Sequence, residues 1–297
     1  NNTENFNEEQ MRKYLKISSK KVPVHSHDGK FPPQRCFSLV GTNARDYEVA
    51  GGLSSAAVGP MSDGLVQIRN AYIDDAPRAF VHRAHSGHYG VVNSEEGYQN
   101  LRRFLFGDLR VDGHLEVESI TLPPKVQRAK DRGSEVRASY HIEVCVNVRD
   151  TRWYLHRRTL DEGSAIIAGY DAMVKSGKPV TLFTQFLSSA AIVKRSSYMG
   201  FSVDLRVLVP EYRVGGRFLF EDHFEGSYIF RDKLNLFVKR QDGRLRVKHG
   251  WDQERTNAAG STEILAEADG RWSLAVPVTK ASAPGIGAKL RLTFSDW

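Results

Sequence analysis

The pattern of apolar and polar residues changes near residue 113. Before it, two compact apolar runs, "RCFSLVG" at 35–41 and "RAFVH" at 78–82, are typical of buried strands, and a Gly- and Ser-containing loop follows each. The stretch "EEGYQNLRRFLF" then places Tyr98, Leu101 and Leu105 at helical spacing, with acids in its first turn. Strand, loop, strand, loop and helix is the order expected at the end of an α/β sheet.

Beyond Gly113, short segments such as "ASYHIEVCVNV" and "FSVDLRVLVPEYRV" alternate apolar and polar residues, and turn residues separate them. Such a series predicts an antiparallel β-sandwich or barrel. One short helix is expected within "DEGSAIIAGYDAMVKSG". We therefore predict a linker with a short helix over 1–34, an α/β region over 35–112 and a β-sandwich over 113–297.

Composition excludes several classes of protein. Lys and Arg exceed Asp and Glu by 42 − 35 = 7, but no run of like charges forms a nucleic-acid arm, so we expect no nucleic-acid partner. The apolar runs are all shorter than the roughly 18 residues that span a bilayer. With no signal peptide recognisable, we expect a cytoplasmic protein. Cys36 and Cys145 both lie in apolar runs and are predicted to be buried thiols.

The candidate chemistry lies in the loops that follow the first two strands. In an α/β sheet, loops at the carboxyl ends of the strands carry the functional groups. Asp63 follows the first strand and His85 follows the second, 85 − 63 = 22 residues later. Acid and then histidine is the last part of the Ser, Asp, His order of a catalytic triad, in which the carboxylate fixes the tautomer of the imidazole.

The runs "GPMSDGLVQI" and "HRAHSGHYG" resemble the C-terminal part of α/β-hydrolase fold esterases and lipases, in particular a bacterial lipase-like group. The resemblance covers about 35–108. It implies a hydrolase that acts on carboxylic esters or lipids without a cofactor or metal, with Asp63 as the acid and His85 as the base. The segment "GHYGVV" is similar to a loop of small lipases and makes His88 the alternate base. The remainder is similar to accessory β-sandwich domains of such hydrolases.

One departure from this family concerns the nucleophile. The motif G-x-S-x-G, in which a strand turns sharply into a helix, does not occur in the 297 residues. The nearest runs, "GLSSA" and "GFSVD", lack the second glycine. The N-terminus also has no initiator Met. We therefore expect the serine and most of the oxyanion hole in a hydrolase segment upstream, and we expect this chain alone to be inactive.

Other interpretations of these residues remain open. Asp63 in "SDG" could be only a turn residue, and His82 could be structural. The residues Asp63, His82, His85 and His88 could together bind zinc, although loop spacing alone does not bring them together. The run "HSHDG" at 25–29 has the wrong register for a metal motif. The alternative function is a non-catalytic β-sandwich that binds protein, lipid or glycan.

Overall fold

The computed structural model describes residues 7–46, 61–73, 75–192, 197–215, 221–253 and 261–297. The chain forms two compact units, Asn1–Gly97 and Tyr98–Trp297. The sequence placed the change of architecture at 112/113, whereas the boundary between the units falls at 97/98. Among the described residues, no helix combines the length and the apolar character that crossing a membrane requires.

The described part of the first unit contains one short helix, the start of a second helix and one pair of parallel strands. Helix α1 is Glu8–Tyr14, and the amide of Gln10 donates to Asn7 Oδ1 at 2.9 Å as its N-cap. Strands β1, Ser38–Gly41, and β2, Arg78–Val81, lie within the two predicted apolar runs and pair in parallel. Short 3₁₀ turns lie before, between and after these strands, at Val24–Gly29, Pro33–Arg35, Ile68–Asn70 and Val91–Asn93.

Helix α2, Glu95–Phe106, follows the histidine loop where the sequence predicted a helix. Ser94 caps its N-terminus, since the hydroxyl accepts from the amide of Gly97 at 3.0 Å and donates to the carbonyl of Val91 at 2.7 Å. The cap fixes the direction in which the chain leaves the histidine loop.

The second unit is rich in strands. Besides most of α2, it contains the helices α3, Pro124–Asp131, and α4, Tyr170–Val174. Its strands are β3 Leu109–Thr121, β4 Glu135–Val148, β5 Tyr154–Arg158, β6 Ile166–Gly169, β7 Val180–Leu187, β8 Met199–Gly215, β9 Glu221–Gln241, β10 Arg244–Trp251, β11 Ser261–Leu265, β12 Arg271–Lys280 and β13 Gly285–Asp296.

These strands form two antiparallel sheets. One has the order β12-β13-β3-β7, and the other has the order β11-β10-β9-β8-β4-β5, with β6 also paired to β4. Inward-facing residues of both sheets, such as Leu115 on β3 and Val144 on β4, belong to one buried hydrophobic cluster. Two antiparallel sheets around one core is the arrangement that the alternating pattern predicted.

Two local predictions in this unit need correction. Helix α3 was not predicted, although Pro124 at its start and Gly133 after its end, at φ 89°, are typical helix boundaries. Only part of the predicted helix in 161–177 is helical, because Ile166–Gly169 pairs with β4 as β6 before α4 begins. Short apolar runs fit a strand or a helix equally well until a partner strand is known.

Candidate functional site

Asp63 and His85 are in direct contact. The ring nitrogen Nδ1 of His85 lies 2.9 Å from Asp63 Oδ2, and the backbone amide of His85 donates to the carbonyl of Asp63, also at 2.9 Å. Because β1 and β2 are parallel, their carboxyl ends lie at the same edge, and the loops that follow them carry the two residues. The structure thus brings together the two residues that the sequence selected.

The carboxylate of Asp63 is held in one orientation. Its Oδ1 accepts hydrogen bonds from the backbone amides of Leu65 at 3.1 Å and Val66 at 2.8 Å. This is the local turn that Asp residues commonly form. Since Oδ1 has these two donors, Oδ2 is directed to the imidazole. The turn interpretation and the acid–histidine interpretation of Asp63 are therefore both correct descriptions of its contacts.

Burial differs between the two partners. The Asp63 side chain is 8% exposed, whereas that of His85 is 38% exposed. A carboxylate only accepts hydrogen bonds, so the His85 tautomer that fits this contact is the one with its proton on Nδ1. The second ring nitrogen, Nε2, lies on the opposite side of the imidazole from this bond. A buried acid and a partly exposed imidazole form a pair that can exchange protons with a third group.

Gly41, the last residue of β1, allows the Asp63 loop to approach the strand. A Cβ added at this position would lie 2.7 Å from the carbonyl oxygen of Arg83 and 2.9 Å from Cβ of Asp63. Both distances are shorter than side-chain atoms tolerate. In the sequence, this glycine marked only the end of a strand. Its position between the two loops makes it part of the site's framework.

The histidine loop is anchored at both of its ends. The amide of Ala84 donates to the carbonyl of Tyr89 at 3.1 Å, and the amide of Val91 donates to the carbonyl of Ala84 at 3.0 Å. The guanidinium of Arg83 forms a fork to both carboxylate oxygens of Glu96 at 3.0 to 3.2 Å. This bidentate pair links the loop to the first turn of α2. It was not predicted, because arginine and glutamate are usually surface residues.

The other two histidines have different surroundings. His82 Nδ1 lies 3.5 Å from the hydroxyl of Thr42, at the ends of the two parallel strands. The exposed ring of His88 packs edge-on against Tyr89, with ring centres 4.8 Å apart. Within the described ranges, the hydrogen bond from a histidine ring to Asp63 comes from His85 and not from His88. The geometry therefore favours His85 over the alternate residue as the partner of the acid.

A metal site at this cluster finds no support in the geometry. Among the described side chains, no three His, Cys, Asp or Glu residues come close enough together to hold a metal ion. The zinc hypothesis required Asp63, His82, His85 and His88 to converge. The backbone of Val24–Gly29 forms a 3₁₀ turn, while the side chains of His25 and His27 in "HSHDG" lie outside the described part.

Two serine-containing segments are similar to a nucleophile elbow, and the structure describes only one of them. The run "GLSSA" at 52–56 lies outside the described residues. In "GFSVD", Ser202 lies within β8, opposite Asn147 of β4 and Asn235 of β9. A serine paired on both sides in the middle of a sheet does not occupy a sharp strand-to-helix turn. The structure therefore excludes Ser202 as an elbow nucleophile.

Helix α2 exposes its apolar stripe and buries polar side chains. The exposed fractions are 55% for Tyr98, 52% for Leu101 and 56% for Leu105. Its buried polar residues are Glu96, Asn100 and Arg103. Asn100 donates to the carbonyl of Leu155 at 2.8 Å, which explains its burial. The amphipathic pattern was predicted, but its apolar face is open to solvent.

Comparison with known proteins gives no assignment, since no protein-family model, no curated protein and no solved structure matches the chain. The family resemblance noted in the sequence therefore has no further support from relatives. The chemistry of the site therefore follows from its own atoms. Those atoms are a buried carboxylate with fixed orientation and an imidazole hydrogen-bonded to it through Nδ1.

Proposed function

We propose that Asp63 and His85 are the acid and the base of a serine hydrolase that acts on carboxylic esters, including lipid esters. In this mechanism Nε2 of His85 takes the proton of a serine hydroxyl as the oxygen attacks the ester carbonyl. The carboxylate of Asp63 keeps Nδ1 protonated and stabilises the imidazolium that forms. The same imidazolium then donates its proton to the leaving alcohol.

The observation that carries this proposal is the 2.9 Å contact between His85 Nδ1 and Asp63 Oδ2. The second oxygen of the carboxylate is fixed by the amides of Leu65 and Val66, so the acid cannot rotate without losing two hydrogen bonds. Orientation of the imidazole by a fixed carboxylate is what a triad requires, since loss of the acid leaves the wrong tautomer. A residue that served only to close a turn would not need the histidine.

The nucleophile is the missing part of this proposal. Since the chain has no G-x-S-x-G motif, we place the serine and its oxyanion donors on a segment encoded upstream. The exposed stripe of Tyr98, Leu101 and Leu105 on α2 supports a further covering segment. Apolar helix faces in α/β sheets are normally buried against strands, and parallel sheets are normally covered on both faces.

The test is to express the chain with and without the upstream coding segment and to measure ester hydrolysis and labelling by a fluorophosphonate probe. The complete protein should hydrolyse esters and take the label, and the chain alone should do neither. In the complete protein, His85→Ala should abolish turnover while His88→Ala retains it. Failure of the complete protein to label, with the chain correctly folded, would contradict the proposal.

The acid–base pair can also be tested in the chain as it stands. Nitrogen-15 NMR of the histidine rings should show His85 protonated at Nδ1, with a downfield-shifted proton from its hydrogen bond to the carboxylate. Asp63→Asn should shift this signal, because the amide is a weaker acceptor and can present a donor instead. If Asp63→Asn leaves the His85 signal unchanged, His85 and Asp63 do not form the proposed hydrogen bond.

A binding module is the second candidate, and one observation in the second unit favours it. An open cleft of about 620 Å³ lies along β4 and β8, a volume typical of ligand sites. The residues that line it include Arg137, Ser139, His141, Tyr170, Glu211 and Arg213. Polar and aromatic groups of this kind suit a glycan or a polar headgroup. Binding of glycans or vesicles that His141→Ala abolishes, in a complete protein without esterase activity, would favour this candidate.

A further inference from the structure

Arg103 on helix α2 is a buried cation. The residue is only 6% exposed, so it is shielded from water nearly as well as a core side chain. It is therefore unusual, since long charged side chains are rarely buried unless they are paired. Its neighbour Arg102, on the same helix, is exposed. Burial lowers the pKa of the Arg103 guanidinium from its usual value, although an arginine remains charged at neutral pH.

No partner for this charge is present among the described side chains. The Nε of Arg103 is fully buried and has no hydrogen-bond acceptor among the described residues. The acid whose charge acts on it is Asp150, an exposed turn residue. Burial of part of a charged group without an acceptor is strongly unfavourable, because the group loses its hydration and gains no replacement.

Arg103 lines a small cavity in the second unit. The cavity has a volume of about 10 Å³, enough for one group of the size of a water molecule. Its polar lining includes Arg103, Arg149, Asp150, Ser188 and Tyr198. The lining thus contains two arginines and one aspartate. The lining can therefore offer guanidinium and hydroxyl donors to a negative ligand of one atom.

We infer that this cavity is a binding site for a monatomic anion such as chloride, held by the guanidinium of Arg103. The space is small, so a compact anion fits it better than a larger group, and a water molecule would fill the space but leave the charge uncompensated. Binding the anion would attach α2 to the strand ends around Val148 and Leu187 that enclose the cavity. The site is independent of the Asp63 and His85 pair and does not rest on the proposed hydrolase activity.

The experiment is a thermal unfolding series in which sodium chloride replaces sodium gluconate at constant ionic strength. Chloride should raise the Tm of the wild-type chain by roughly 5 °C near saturation, since a ligand that binds only the folded state stabilises it. Arg102→Met is the matched control, because it removes one positive charge from the exposed position next to the site. This control should keep the chloride effect, and Arg103→Met should lose it.

A second measurement applies if Arg103→Met does not fold. Crystals of the wild-type chain grown in sodium bromide should show an anomalous peak in contact with the Arg103 guanidinium. Equal Tm values in chloride and gluconate would overturn the inference, as would a chloride effect that persists in Arg103→Met. A cavity that holds only water in the bromide crystals would overturn it as well.

Discussion

The two units of the protein hold their structure by different means. In the first unit, the described buried cluster consists of Val40, Ile68 and Phe80, with two partly buried neighbours. In the second unit, one cluster joins both antiparallel sheets and includes the large side chains of Phe183 and Tyr212. The candidate site is in the unit with the smaller core. Its geometry depends on backbone hydrogen bonds, capping and one bidentate ion pair rather than on packing.

This difference explains why the site can have a well-defined geometry although the unit that holds it has low local stability. Strands β1 and β2 are four residues each, and a two-stranded sheet is only marginally stable alone. By contrast, β8 pairs along most of its length with β4 and β9. Perturbations of the site should therefore change function with little effect on global stability, while perturbations of the second core should do the opposite.

The largest effect should come from the acid–histidine pair in the complete protein. Asp63→Asn and His85→Ala should each lower kcat by about a thousandfold or more, as loss of a triad member does in serine hydrolases. Steady-state ester hydrolysis measures this. The Tm of both variants should stay close to wild type. If His88→Ala lowers kcat strongly and His85→Ala lowers it little, the general base is His88 and not His85.

The two cysteines give a second contrast, because one lies in each unit and both are partly exposed free thiols rather than the buried ones predicted. Burial raises the pKa of Cys145 to about 12. Since only the thiolate reacts, alkylation of Cys145 at pH 8 should be about a thousandfold slower than that of a free cysteine with a pKa of about 8.5.

Mass spectrometry after iodoacetamide treatment of Cys36→Ser measures this rate. As pH rises from 7 to 9, the rate should increase about tenfold per unit without a plateau, because the thiol stays below its pKa throughout. The reciprocal variant Cys145→Ser reports on Cys36, which should react faster because the smaller unit opens more readily. A plateau for Cys145 near pH 8.5 would contradict the raised pKa of this thiol.

The third contrast concerns stability. Phe183 is 1% exposed, and its ring fills the space above Gly113, so Phe183→Ala should lower the free energy of unfolding by about 3 to 5 kcal/mol. Val40→Ala in the small cluster should cost about 2 kcal/mol or less. Chemical denaturation measures both. Leu101→Ser, at an exposed position, is the control and should be nearly neutral in this chain.

Hydrogen exchange shows which strands each substitution destabilises. Val40→Ala should accelerate exchange in β1 and β2 and leave β8 protected. Equal loss of protection in β8 would show that the two units unfold as one, and the contrast between them would fail.

The smallest effect should come from the cap of α2. Ser94→Ala removes the hydroxyl that accepts from the amide of Gly97 and should cost about 1 kcal/mol. Ser86→Ala, at an exposed loop position, is the matched control. Thermal unfolding measures the change in stability of both variants. No difference between the two variants would mean that the ion pair between Arg83 and Glu96 alone fixes the start of the helix.

Much of this architecture could be predicted from the order of the residues. Short apolar runs indicated β1 and β2, and alternation indicated a second region of antiparallel strands. The spacing of Asp63 and His85 across one strand indicated a pair, because loops at the carboxyl ends of parallel strands meet at one edge. These features depend on local patterns with periods of two or 3.6 residues, which a sequence displays directly.

Only the tertiary structure decided which groups became partners. It selected His85 over His88 for Asp63, turned the apolar stripe of α2 to solvent and buried Arg103 in a cavity. Arg291 bonds Glu116 at 2.8 Å because β13 returns to lie beside β3. A local pattern states which residues prefer burial, but it does not state what covers them. That depends on contacts between distant segments, whose geometry forms only when the chain folds.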